Sequence, residues 1–243
     1  MELVLVPGLR LGMVDARGRG PRRLDGTGPP LLVASAANEL EHAEREARAL
    51  LECFPDAHLL TGAEASAGEF LHRARQAAWI HFAGHGLFRA DAPHESALRF
   101  TDRWLTAGEM AGLELAASWV TLSACQTARA LVRPGEEWFG IARALLLAGA
   151  RRVIASQWDV EDEAAAPLMI DLYRRVAAGD PLERALALAQ SSQARDGRHP
   201  FEWSGFVLLG SPTAPGSGRA RGDPDSKDEA CFSATSPASG GLV

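Results

Sequence analysis

Two stretches constrain this chain more than any others. Trp79-Ile80-His81-Phe82-Ala83-Gly84-His85-Gly86 and Trp119-Val120-Thr121-Leu122-Ser123-Ala124-Cys125-Gln126-Thr127 are β-branched and aromatic runs that close on small-residue turns. A run of that kind is a buried strand that delivers one reactive side chain to the edge of a sheet. His85 and Cys125 stand at the two ends. If the strands are parallel neighbours, both residues emerge at the same carboxyl edge, where open α/β sheets hold their ligands. The pattern points to a nucleophilic Cys/His pair.

Other chemistries for these residues have specific requirements. A lone cysteine is ordinarily a small buried hydrophobe. Cys125, however, follows its strand, and a second polarisable residue holds the equivalent place on another. A phosphate-binding thiolate loop needs an arginine six positions after the cysteine; position 131 is leucine, and Arg129 comes too early. Zinc needs three or four ligands. His81, His85 and Cys125 can be nominated, but strand alternation gives them no further support, so no metal and no cofactor are expected. His81, inside the apolar run, reads as a hydrogen-bonded core histidine.

The rest of the chain alternates strand and helix. Residues 1–6 look like a strand, and the Arg, Gly and Pro-rich stretch to Pro30 like a hairpin or loop packed on the domain. Leu31–Ser35, Ala57–Leu60, Arg152–Trp158 and Gly205–Leu209 join the two site strands to give six core strands. Helices are predicted after Asn38, which with Glu41 resembles a capping box, and after Ser66 with Glu69. Between the site strands, Leu98–Phe100 with Trp104–Leu105 suggest a small hairpin, and Thr106 with Glu109 a short capped helix. Glu136–Ala148 is an almost wholly apolar helix stopped by Gly149. Ala164–Ala178 is helical despite Pro167, which should lie in its first turns or kink it. Asp180, Pro181 and Glu183 supply a cap, a first-position proline and an acid for a helix to about Arg195. The alternation implies an α/β fold, a three-layer α/β/α sandwich on a mostly parallel sheet. Residues 31–211 form the domain; residues 212–243, rich in Gly, Pro and Ser, cannot support a core and are expected to be disordered.

Composition narrows the function. A chain of 243 residues with 47% hydrophobic content can bury one substantial core. A formal charge of -6 leaves no footprint for nucleic acid, and there is neither a bilayer-length apolar run nor a signal-peptide pattern, so no membrane association is expected. Three widely spaced cysteines, Cys53, Cys125 and Cys231, suit a reducing cytoplasm better than a disulfide framework. Lys227 is the only lysine among 25 basic residues, which fits the codon bias of a GC-rich bacterial genome.

These motifs together resemble the CHAT domain, a bacterial member of the caspase-like (clan CD) cysteine peptidase group that includes separases, gingipains and legumains. The matching pieces are His81 to Gly86, Leu122 to Thr127, Gly135-Glu136-Glu137 with Arg143-Ala144-Leu145, Ala148 to Trp158, and His199-Pro200 with Trp203 to Gly210. The resemblance implies a caspase-like fold and a cysteine endopeptidase that cleaves a protein partner through a thioester. Cys125 would be the nucleophile and His85 its proton partner, and the backbone amides of Gly86 and Cys125 would hold the oxyanion. Asp159 and Glu136 could line a pocket that favours Arg or Lys before the scissile bond, although acids after a strand also cap helices. Arg129 or Arg133 in the loop 128–135 could be a self-cleavage site. A regulatory or sensor partner, in a bacterial signalling or defence setting, would be a separate chain, since no repeat period is visible. The alternatives are a catalytically silent caspase-like interaction module and a hydrolase of small acyl substrates.

Overall fold

Short β-branched and aliphatic runs with no polar alternation suit strands covered on both faces. The computed structural model, which describes residues 4–5, 26–35, 40–89, 91–125 and 140–210, places them so. The strands are β1 (Val4–Leu5), β2 (Leu31–Ser35), β3 (His58–Leu60), β4 (Ile80–Leu87), β5 (Ala97–Arg99), β6 (Trp104–Thr106), β7 (Val120–Cys125), β8 (Arg152–Ser156) and β9 (Phe206–Gly210). Their order is β1-β9-β8-β7-β4-β2-β3. Pairing is parallel from β3 through β8, and β9 runs antiparallel to β8. The expected six-strand core gains a seventh member, because Val4 and Leu5 pair parallel with Leu208 and Leu209. It is the strand expected within residues 1–6, over its described residues 4–5. The expected hairpin is β5–β6, and it pairs antiparallel with the end of β4.

Helices cover the two faces. The described α-helices are α1 (Leu40–Cys53), α2 (Ala67–Ala74), α3 (Ala107–Ala111), α4 (Ile141–Ala148), α5 (Asp162–Ala177), α6 (Leu182–Arg195) and α7 (Pro200–Trp203). One face packs Phe70 of α2, Met110 of α3 and Ile141 and Leu145 of α4 onto Ile80, Phe82, Val120, Leu122 and Val153. The other packs Leu50 of α1, Leu168, Met169 and Leu172 of α5 and Leu182, Ala185 and Leu186 of α6 onto Leu32, Ile154 and Leu208.

Local chemistry sets the helix ends. The Ser66 side chain accepts from the Glu69 amide, and Thr106 and Glu109 form a reciprocal capping box at α3. Gly149 ends α4 in the left-handed region at φ 117°, where a Cβ would lie 2.5 Å from the Leu115 carbonyl oxygen. Pro167 lies inside α5, which continues to Ala177. The predicted start of α6 needs correction. Pro181 is extended (φ -58°, ψ 145°), its carbonyl accepts the first helical bond from Ala185, and no side chain caps the end. Asp180 instead pairs with Arg184, and Glu183 turns inward to Arg152 of β8 at 2.7 Å. The expectations for residues 1–3, 6–25 and 212–243, the Asn38 cap, and Arg129, Arg133 and Glu136 lie outside the described residues.

Candidate active site

β4 and β7 are adjacent and parallel over their whole shared length. Their register runs from Ile80 with Val120 to His85 with Cys125. Neighbouring strands lie about 4.8 Å apart, so the backbones at 85 and 125 are side by side at the carboxyl edge. Alternation places His81, Ala83 and His85 on one face of β4, and positions 121, 123 and 125 on the same face of β7. His85 is half-buried, and its imidazole makes no hydrogen bond or ion pair among the described residues. Gly84 makes the close strand approach possible, since a Cβ there would lie 2.0 Å from the Ser35 carbonyl oxygen of β2.

Beneath this edge, on the same face, runs a buried polar seam. Glu46 projects from α1 and is 3% exposed. Its carboxylate accepts from His81 Nε2 at 2.7 Å and from the Ser123 hydroxyl at 3.1 Å, which ties α1 to both site strands. His81 Nδ1 is buried without a partner among the described residues. With Nε2 as the donor, Nδ1 is an unpaired acceptor, the cheaper of the two tautomeric arrangements around a carboxylate. One layer lower, the Tyr173 hydroxyl of α5 donates to Thr121 Oγ1 at 2.9 Å and accepts from Trp119 Nε1 at 3.4 Å. Burial pushes the Tyr173 phenol well above its usual range, so it stays neutral. Its ring stands edge-on to His81, with centroids 5.2 Å apart. The seam was missed in the sequence, though Glu46 left a signal: it interrupts the apolar face formed by Ala43, Ala47 and Leu50.

On the other side of β4, the β5–β6 hairpin continues where β2 ends. Gly86 pairs with Leu98, and Arg99 pairs with Trp104. The Ser35 hydroxyl donates to the Arg99 carbonyl at 2.7 Å, which fixes the junction. The Arg99 guanidinium lies over the Trp104 ring, 5.7 Å from its centroid.

The predicted site residues fall as follows. His85 and position 125 are brought together, and Gly86 follows His85 within β4. His81 is the core histidine expected, with Glu46 as its partner. Asp159 lies past the carboxyl end of β8 on the same sheet edge, with its Oδ1 buried. Next to it, Trp158 stacks on the exposed Phe201, with centroids 5.2 Å apart. No group of three or more His, Cys, Asp or Glu among the described residues could hold a metal ion.

Known structures share this architecture. The Arg-specific cysteine proteinase gingipain R superposes with a TM-score of 0.54 at 13% identity, covering 79% of this chain and 47% of that one. The separase of the Saccharomyces cerevisiae separase–securin complex gives 0.53 at 12% identity, over 76% of this chain and 12% of the other. At such identities the likeness is one of fold, and the fold is that of the caspase-like, clan CD cysteine peptidases. The CHAT domain family matches residues 17–211, and the chain belongs to it. Tetratricopeptide repeat protein 28 is 33% identical over 111 residues in Mus musculus and 34% over 112 residues in Homo sapiens. Each match covers 44% of this chain, which spans only 4% of the relative's length.

Proposed function

We propose that the chain is a cysteine endopeptidase that cleaves a protein or peptide substrate through a Cys125–His85 dyad. The observation that supports it is the pairing of His85 with Cys125 in adjacent parallel strands at the carboxyl edge of a caspase-like sheet. The Cys125 thiolate attacks the scissile carbonyl carbon, and the Gly86 and Cys125 amides take the charge that develops on its oxygen. His85 gives a proton to the leaving amine as the C–N bond breaks, leaving a thioester on Cys125. Water then adds to the thioester, and the acid and the free thiol are released. Asp159 and Glu136 are assigned to the pocket for the residue before the scissile bond and would favour Arg or Lys. The setting assigned is the cytoplasm of a bacterium, where a partner protein regulates cleavage in signalling or defence. No helix among the described residues is long and apolar enough to cross a membrane.

The test compares wild type with Cys125→Ala and His85→Ala on a mixed peptide library, with products read by mass spectrometry. Cleavage by wild type and its loss in both variants is the expected outcome. A wild-type chain that cleaves nothing, and whose Cys125 reacts with an acyl-mimic electrophile no faster than Cys53 and Cys231, would overturn the proposal in favour of a silent interaction module.

A further inference from the structure

We propose that Arg99 and Trp104 form a subsite for an acidic side chain of the substrate, Asp or Glu, on the leaving-group side of the scissile bond; this rests on the peptidase reading above. The lateral order of strands at the site is β7, β4, β5, β6. β5 runs antiparallel to β4 with Gly86 opposite Leu98, so the next pair in that register brings His85 level with Arg99. Arg99 is in turn opposite Trp104, and cross-strand partners share a face. Positions 125, 85, 99 and 104 therefore follow one another across the edge. With Cys125 attacking the carbonyl and His85 protonating the amine, the residue that carries the amine leaves on the side of His85 away from Cys125. Arg99 is what it meets there.

Charge pairing in the neighbourhood singles this arginine out. Arg89 is held by Asp91 at 2.9 Å and Glu95 at 3.3 Å, and Arg103 by Glu109 at 2.7 Å. The Arg99 guanidinium has no hydrogen bond and no ion pair among the described residues, in a chain whose formal charge is -6. It is nevertheless held in place. Its main chain is fixed by Ser35, and its planar head lies over Trp104, which is 41% exposed. A guanidinium held over a ring keeps N–H groups for a ligand, and a carboxylate matches its fork with two parallel hydrogen bonds. The open Trp104 ring supplies apolar contact for the methylenes that carry the carboxylate. The subsite lies on the opposite flank of the dyad from Asp159, so the two select residues on opposite sides of the scissile bond.

The test uses the full chain and a library of C-terminally amidated peptides, so that the only carboxylates offered are side chains. Products of wild type should carry Asp or Glu enriched within the first two residues after the cut. Arg99→Gln should lower turnover of those peptides by about tenfold, the scale of a charge-assisted bidentate pair, and leave peptides with neutral residues there within about twofold. Arg99→Glu should turn the preference toward Lys and Arg. Absence of acidic enrichment in wild type, or unchanged turnover of acidic peptides by Arg99→Gln, would overturn the subsite. Should wild type cleave nothing, the Cys125 labelling above decides the peptidase reading separately, and binding decides the subsite. Cys125→Ala chain is then titrated by fluorescence anisotropy with a labelled, amidated Glu-containing peptide from the library and with its Gln counterpart. Tighter binding of the Glu peptide that Arg99→Gln abolishes upholds the subsite, and equal binding of the two overturns it.

Discussion

Two residues carry more of the site than their size suggests. Gly84 lets β2 and β4 close against each other one position before His85, and a methyl group there meets the Ser35 carbonyl at 2.0 Å. Backbone cannot move away as a side chain tip can, so Gly84→Ala should destabilise the chain by about 2 kcal/mol or more, measured by urea denaturation. Glu46 is the second. Its carboxylate is buried and satisfied by one donor from each site strand. Glu46→Ala strands both donors and opens a cavity, and should cost about 3 kcal/mol. Ser123→Ala removes a single bond and should cost about 1 kcal/mol. Arg48→Ala, on the exposed side of the same helix, should change stability by under about 0.5 kcal/mol. The core role of His81 was legible from its place inside an apolar run. Glu46 was not, because an acid in an amphipathic helix is read as solvated unless the facing strands are known to carry donors.

At the scale of elements, the helices whose ends are set by neighbouring residues were readable, and those set by distant ones were not. The caps at Ser66 and at Thr106 with Glu109 are local and appear where the residue types predict them. The first amide of α2 has a different partner: Asp102, in the β5–β6 turn, accepts from the Ala67 amide at 2.7 Å. That bond spans 35 residues and has no sequence signature. α6 shows the same limit, since Glu183 is drawn to Arg152 by the sheet beneath it rather than to its own helix end. Asp102 also gives the fold a pH dependence. The Ala67 amide, followed by the turn's own amides, holds its carboxyl below the usual range. Its folded value is therefore below the unfolded one of about 3.9, so the unfolded chain binds more protons and stability rises with pH through that window. The contribution is full above the unfolded value and is lost as pH falls through the folded one. Asp102→Asn should lower the urea midpoint at neutral pH and match wild type once the pH is below the carboxylate range.

At the scale of the whole domain, the two faces of the sheet differ. The face covered by α2, α3 and α4 packs a continuous apolar cluster, whereas the face covered by α1, α5 and α6 also holds the seam of Tyr173, Thr121, His81, Glu46 and Ser123 that rises toward the carboxyl edge of β4 and β7. Strand existence was legible from apolar runs, but strand order was not, because β4 and β7 are separated in sequence by the hairpin and α3. Glu46 of α1 reinforces the ladder between them by accepting from both, which a carboxylate does here because the strands are neighbours. That dependence is measurable as coupling. Glu46→Gln and Ser123→Ala share a hydrogen bond, so their destabilisations should fall short of additivity by at least about 0.5 kcal/mol in a double-mutant cycle. Ser123→Ala combined with Glu183→Gln, which weakens the pair to Arg152 across β8 and α6, should add within about 0.5 kcal/mol. Equal coupling in both cycles would mean that the seam is felt only through global stability, and that Glu46 does not join the two site strands as a local unit.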